Sequence, residues 1–308
     1  MKLSLSNIKN RIRFWLLRNP QFNPYKFSFN FFLRRITSNL RTYPDFIIIG
    51  SGRAGTTSLY NYLIQHPNIM SSFSPRDQKA ADLHFFEYMI SNSTNWYRSH
   101  FPTKLSKRFR EFRTNSPVIS GEFTSTYMYH SFVPERIFNL IPSIKLIVIL
   151  RNPVDKVYSA FSQQFQFKEF TSSFEEYIES EMKRIKIIES EPNFKTFNED
   201  FESIAVPNIL RHGIYHTYLK KWLDIFSKKQ IYIVDSKDLH DNTQETLDNI
   251  FKFLEIPSSN ISDTSKVNVG KYSKMDTSTR RRLLDFFSPH NDKLNNLLGT
   301  QFHWSDKI

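Results

Sequence analysis

A single stretch of this chain leaves few folds open to it. Asp45-Phe46-Ile47-Ile48-Ile49 reads as a buried strand, and it runs straight into Gly50-Ser51-Gly52-Arg53-Ala54-Gly55-Thr56-Thr57-Ser58. The pattern then turns helical over 58–65 and stops at His66-Pro67, because the residue before a proline is pushed out of helical backbone. A strand feeding a glycine-rich turn that feeds a helix aims several backbone N–H groups at one point, where the helix dipole also favours an anion. Gly50 and Gly55 have the spacing of a nucleotide-triphosphate loop. The next position holds Thr56 where that loop needs Lys, and the one cation, Arg53, lies inside the turn. Taken alone, the segment also fits a tight strand-to-helix connection that binds nothing.

A second segment repeats the arrangement. Ile144-Lys145-Leu146-Ile147-Val148-Ile149-Leu150 is predicted as a strand that ends in Arg151, and Pro153 suits the first turn of a following helix. Arg151 thus stands at the carboxyl end of a strand, where open α/β sheets bind ligands. Ser159 follows about two helical turns later, so one guanidinium and one hydroxyl can grip a phosphate group. The plainer alternative is an arginine that caps carbonyls beside an ordinary helical serine. An ATPase needs an acidic residue near this edge to hold Mg²⁺, and a positive charge stands there instead, so no metal is expected. Gln230–Asp235 reads as a third strand, Ser172-Ser173-Phe174-Glu175 has capping-box spacing, and helices are expected to about 189 and over 246–254. Strands alternating with helices predict an α/β fold, a P-loop-like central parallel β-sheet flanked by helices on both faces.

Charge is unevenly placed. The 308 residues carry a net charge of +12, yet residues 1–44 hold nine Lys and Arg and no Asp or Glu. From Asp45 onward 33 basic residues face 30 acidic ones, so nucleic-acid binding by the whole domain is not implied. Residues 1–44 are therefore read as a basic leader and 45–308 as a single domain. Ile8, Ile12, Trp15 and Leu16 share one helical face in that leader, with Lys9, Arg11 and Arg13 elsewhere. That pattern fits a helix lying on an anionic membrane surface, a leader packed on the domain or solvated, or an organelle transit peptide. No apolar run reaches the ~18–20 residues of a membrane span, and no secretory signal pattern is seen. The expected location is cytoplasmic, with a peripheral membrane contact through residues 1–44. The absence of Cys excludes disulfides, thiolate metal sites and cysteine nucleophiles.

The two anion-binding segments together suggest a nucleotide with phosphates at both ends of its ribose. The pair resembles the 5′-phosphosulfate loop and 3′-phosphate motif of the sulfotransferase superfamily, closest to the bacterial and Golgi carbohydrate branch that includes heparan sulfate sulfotransferases. Further segments in order carry the same resemblance over about residues 44–304. They are His66-Pro67, Asp82-Leu83-His84-Phe85-Phe86, Trp96-Tyr97, Phe101-Pro102, Gly121-Glu122 with Tyr127, and Val133-Pro134-Glu135-Arg136-Ile137. Gly213, Tyr215 and Trp222, then Asn268-Val269-Gly270-Lys271-Tyr272, and finally Trp304 complete the series.

The resemblance implies a sulfuryl donor, 3′-phosphoadenosine 5′-phosphosulfate (PAPS), and an acceptor hydroxyl or amine on a carbohydrate or glycolipid. By motif match, Arg53 would lie beside the phosphosulfate, and Gly52, Ala54, Gly55, Thr56, Thr57 and Ser58 would cradle the 5′-phosphate. Arg151 and Ser159 would hold the 3′-phosphate, Tyr215 would belong to the cofactor site, and Gly270, Lys271 and Tyr272 would close over it. Asp82 matches the family's general base, and His84 is read either as an alternative base or as a core histidine. Glu122 is read as a structural partner of a basic residue, and Phe85-Phe86 as core. Arg280-Arg281-Arg282 fits an acidic acceptor or a solvated helix face. Three positions depart from the family pattern: Arg53 replaces Lys, Asp82 replaces Glu, and Phe123 stands where relatives often carry Lys. These departures leave a second reading open, a catalytically impaired nucleotide- or glycan-binding protein of the same fold.

Overall fold

The computed structural model describes residues 29–73, 82–166, 172–190, 209–265 and 273–304. Its centre is a sheet of five strands: β1 (Phe46–Gly50), β2 (Ile69–Met70), β3 (Ile119–Phe123), β4 (Lys145–Leu150) and β5 (Ile231–Asp235). Their order is β2-β3-β1-β4-β5, and every pairing is parallel. β1 is buried along its whole length, and β4 from Leu146 to Leu150. This is why the strands at Ile47 and Leu146 read as unbroken apolar runs and not as alternating ones. The expected strands at 45–49, 144–150 and 230–235 match β1, β4 and β5 to within one residue at each end.

Side chains leave the sheet in alternation and build one core on each face. Phe46, Ile48, Ile147 and Ile149 meet Leu59 and Leu63 of helix Thr56–Leu63 and Ile250 and Phe251 of helix Thr243–Leu254. Ile47, Ile49, Leu146 and Val148 face the opposite way, onto Tyr97, Ile137 and helix Tyr215–Ile225. That last helix buries Tyr215, Tyr218, Leu219 and Trp222, a single stripe at i, i+3, i+4 and i+7. A third cluster binds helices Pro153–Gln166, Phe174–Ser190 and Thr277–Leu298 to each other through Phe161, Phe174, Ile178, Leu283 and Phe287.

Two local readings need correction. The capping box closes one residue later than its spacing suggested: Ser173 N–H donates to Glu176 (2.9 Å) and Glu176 N–H donates to Ser173 Oγ (3.2 Å). Both Ser172/Glu175 and Ser173/Glu176 satisfy the spacing, and Phe174, buried against Phe161, sets which pair flanks the first turn. Helix Thr56–Leu63 also starts two residues before the expected 58, because Gly55 takes the N-cap position at φ 109°.

The order of strands matters for function. From β1 the chain goes out to β2 and returns through β3 on one side, while β4 leads to β5 on the other. The crevice between the carboxyl ends of β1 and β4 is thus the point where the connections diverge, the place where open parallel sheets bind ligands. The basic leader is partly built into the domain. Helix Phe29–Ile36 buries Phe31 against Phe73, Trp96 and His100, and Arg34 donates to the carbonyls of Ser99 (2.7 Å) and Phe101 (2.9 Å). The amphipathic pattern at Ile8–Leu16 lies outside the described residues.

Candidate active site

The turn after β1 is shaped by glycines. A Cβ on Gly50 would stand 2.8 Å from Met128 Cβ, and Gly55 holds a left-handed φ that a side chain resists. Ala54 N–H donates to Ser51 O (3.2 Å) and tightens the loop. The first helical hydrogen bond is Leu59 N–H to Gly55 O (2.9 Å), so the amides of Thr56, Thr57 and Ser58 precede the ladder at the positive end of the dipole. Thr56 and Ser58 are buried.

Both arginines named from the sequence meet here. Arg53 sends Nε and Nη2 to Ser159 Oγ at 3.1 and 3.0 Å, and Arg151 Nη1 donates to the carbonyl of Arg53 at 3.1 Å. The two segments named from the sequence therefore form one continuous cationic rim between β1 and β4, with Arg53 touching the serine of the second segment. Tyr215 is buried and its hydroxyl donates to Arg151 O (2.8 Å). Asn152 Oδ1 accepts from Val154 N–H (3.0 Å), and its amide donates to Trp304 O (3.1 Å). Trp304 Nε1 donates to Asp235 (2.9 Å), which ties the end of β4 to the end of β5.

Lys156 was not singled out by the sequence. It is 3% exposed, and among the described residues its amine faces the rings of Tyr129 (5.1 Å) and Tyr215 (5.8 Å) and pairs with no carboxylate. Burial holds its pKa well below the ordinary lysine range.

A second cluster lies beside this rim. His84 takes a left-handed φ of 51° and places its ring between two carboxylates. Nδ1 is 2.8 Å from Glu87 and Nε2 is 3.3 Å from Asp82. Burial alone would push His84 down, but Asp82, by charge and hydrogen bond, and then Glu87 outweigh it, and its pKa stands well above the ordinary value. His84 is half-buried and pairs with both acids. His130 Nε2 approaches the other oxygen of Glu87 at 3.7 Å. Glu87 went unnoticed in the sequence, although a carboxylate three residues after a histidine was the available signal.

Glu122 is fully buried and accepts from Tyr97 OH (2.6 Å) and Thr124 Oγ1 (3.1 Å), so its partners are hydroxyls and not the basic residue expected. Burial is the main cause of a pKa pushed up to about 8, helped by the charge of Asp82 and opposed by those two hydrogen bonds. Thr124 and Ser125 connect the clusters. Thr124 Oγ1 lies 3.4 Å from the His84 amide, and Ser125 packs on Gly52, where a Cβ would meet it at 3.8 Å. The acid–histidine cluster and the glycine-rich turn after β1 therefore share one turn after β3.

Other expected residues fall elsewhere. Phe123 is buried against Tyr60 (5.2 Å between rings) in the core. Arg280 pairs with Asp155 (2.9 Å) and Arg282 with Glu179 (3.2 Å), so two of the three consecutive arginines clip helices together. Gly270, Lys271 and Tyr272 lie outside the described residues.

A family model described as "Sulfotransferase domain" matches residues 43–288. The human bifunctional heparan sulfate N-deacetylase/N-sulfotransferase 2 is 29% identical over 283 residues, covering 83% of this chain and 29% of that protein. The chain thus spans about three tenths of the length of such relatives. A membrane-associated sulfotransferase of Dictyostelium discoideum is 24% identical over 335 residues, covering 88% of this chain and 68% of its own length. Among solved structures, a sulfotransferase from Alicyclobacillus acidocaldarius shares the fold with a TM-score of 0.61 at 23% identity, covering 85% of this chain and 99% of that one.

Proposed function

The chain belongs to the sulfotransferase domain family, and from that premise we propose that it moves a sulfuryl group from PAPS to a hydroxyl or amine of a carbohydrate-type acceptor. The observation that carries this reading is the contact of Arg53 with Ser159 at the mouth of a helix N-terminus, one turn of chain away from Asp82, His84 and Glu87. It joins a site for a bis-phosphorylated ligand to a cluster able to take a proton.

The residues present fit such a donor. The amides of Thr56, Thr57 and Ser58, with the Arg53 guanidinium, suit the 5′ end, and Arg151 with the buried Ser159 hydroxyl suits the 3′-phosphate. When bound, the donor supplies an activated sulfuryl group whose bond to phosphate oxygen breaks as the bond to the acceptor oxygen or nitrogen forms. The protein's share is positioning and charge compensation. Asp82 is the base that receives the acceptor's proton, and His84 Nε2, 3.3 Å away, fixes where its carboxylate points. Glu87 holds His84 in place and keeps it charged. Arg53 and Arg151 compensate the negative charge left on the nucleotide.

The relatives named for heparan sulfate support a carbohydrate acceptor. The test is incubation of the pure protein with ³⁵S-labelled donor and an array of glycans, glycolipids and small alcohols. Label on a saccharide is expected. Tight binding of adenosine 3′,5′-bisphosphate with no label on any acceptor would remove the enzymatic reading and leave a binding protein.

A further inference from the structure

Helix Lys104–Thr114 buries none of its residues. Leu105, Phe109 and Phe112 stand at i, i+4 and i+7 on one face and are 78%, 62% and 86% exposed. Large apolar side chains grouped in this way on a surface mark a contact with something else. Their surroundings are cationic: the same helix carries Lys104, Arg108, Arg110 and Arg113 against a single acid, Glu111, while Lys107 is already paired with Asp45.

A second surface continues it. Helix Phe29–Ile36 exposes Phe29, Phe32, Leu33 and Ile36, again one helical face, and contains Arg35 and no acid. Arg41, just beyond it, forms a backbone bridge with Thr103, the N-cap of helix Lys104–Thr114. The end of one exposed helix is therefore set beside the start of the other, with exposed Leu40 next to the bridge.

We propose that these two helices form a docking face for an anionic lipid bilayer, with Phe109 and Phe112 entering the interface and the flanking Lys and Arg meeting lipid headgroups. Charge complementarity selects this occupant. A face with bulky aromatic residues and an almost acid-free basic border is the chemistry of a helix lying in a bilayer interface. The chain preceding Phe29 adds Lys2, Lys9, Arg11, Arg13, Arg18 and Lys26, also without an acid. The face lies at the opposite end of the sheet from the anion loop. Lys107 grips Asp45 at 2.7 Å just before β1, whereas Gly50–Gly55 follows β1. Docking there turns the donor and acceptor mouth away from the bilayer, towards soluble or protruding glycans. The docking itself uses no residue of that site, and only the orientation of the mouth rests on the sulfotransferase reading.

The test is co-sedimentation of the full chain with vesicles of phosphatidylcholine alone and of phosphatidylcholine with phosphatidylserine. The comparison is Phe109→Ser/Phe112→Ser, two residues outside the proposed catalytic and nucleotide-binding residues. Wild type is expected to sediment with the anionic vesicles only, and the double variant about tenfold less. Its melting temperature and its affinity for adenosine 3′,5′-bisphosphate should be unchanged. Failure of wild type to bind anionic vesicles overturns the proposal, as does equal binding by the variant, which would assign attachment to residues 1–28. A wild-type dimer that the variant dissolves, without vesicle binding, overturns it in favour of a second copy as the occupant.

Discussion

Arg53 and Ser159, 106 positions apart in sequence, meet through two guanidinium nitrogens at 3.1 and 3.0 Å from one hydroxyl oxygen. With both hydrogen bonds accepted by Oγ, the hydroxyl hydrogen is the part of Ser159 left to donate, the role a phosphate oxygen requires. The same guanidinium orders the hydroxyl and lends the rim its charge. Ser159→Ala should therefore weaken binding of adenosine 3′,5′-bisphosphate by roughly 10–100-fold, the equivalent of one hydrogen bond to a charged group. Arg53→Ala should weaken binding further and lower kcat by about 10²–10³-fold, as loss of one preorganised charge donor does. Calorimetry with the bisphosphate and steady-state sulfation rates check both. Unchanged affinity in Ser159→Ala would place the 3′-phosphate elsewhere.

His84 stands between Asp82 and Glu87, and its raised pKa keeps it charged through neutral pH. If charged His84 holds the Asp82 carboxylate in position through their 3.3 Å contact, activity should fall on the alkaline side as His84 loses its proton and that ion pair. Glu87→Gln removes one of the two carboxylates that hold that proton, so this alkaline limb should move to lower pH. His84→Ala should reduce kcat by about 10²-fold or more, with affinity for the bisphosphate within about twofold of wild type. A pH–rate profile of Glu87→Gln that superimposes on wild type would confine Glu87 to a structural role.

Much of this geometry was open to sequence reasoning because the physics was local. The apolar runs of β1, β4 and β5 stood out, and the residues at strand carboxyl ends drew attention to Arg53 and Arg151, whereas β3, equally buried, gives no such run because Ser120, Gly121 and Glu122 interrupt it. β2 escaped because two residues, Ile69 and Met70, give no periodicity. Helix Thr277–Leu298 was approached only through Arg280-Arg281-Arg282, because two of its five buried residues, Thr279 and His290, are polar and Pro289 lies inside it, so its buried stripe does not read as an apolar one. Lys156 looked like any solvated helix lysine, and only the packing of Tyr129 and Tyr215 around it shows otherwise. His84 could not be separated from a core histidine without its positive φ, which turns the ring towards Glu87.

Glu122 gives the protein a pH-dependent stability of definite sign. Its folded pKa is raised to about 8, so the folded state binds the extra proton, and its contribution is full below the ordinary 4.5 and is lost as pH rises through about 8. Glu122→Gln keeps an oxygen for Tyr97 and an amide for Thr124 while removing the titration. The variant should gain stability relative to wild type steadily from about pH 5 towards pH 8. His84, also raised, acts in the same direction but only above its ordinary 6.5, so the difference between the two proteins below that pH isolates Glu122. Melting temperatures measured across this range provide the check, and parallel curves for the two proteins would refute the assignment.

Lys156 has the opposite sign. Burial depresses its pKa, so between its folded value and the ordinary 10.5 the unfolded chain holds a proton that the folded protein lacks, and stability rises with pH across that window. The rings of Tyr129 and Tyr215 offer the amine a cation–π contact of about 1–2 kcal/mol, less than the several kcal/mol that desolvating an ion costs. Methionine has a similar length and no charge to desolvate, so Lys156→Met should be as stable as wild type or more so at neutral pH, and should lose the upward slope towards pH 10. Lys156→Glu puts an acid under the aromatic rings and beside the anion rim, and should destabilise by about 3 kcal/mol or more. Urea unfolding at pH 7 and pH 9.5 checks the pair. A marked loss of stability in Lys156→Met at neutral pH would show that the buried amine holds this corner of the site together and does not strain it.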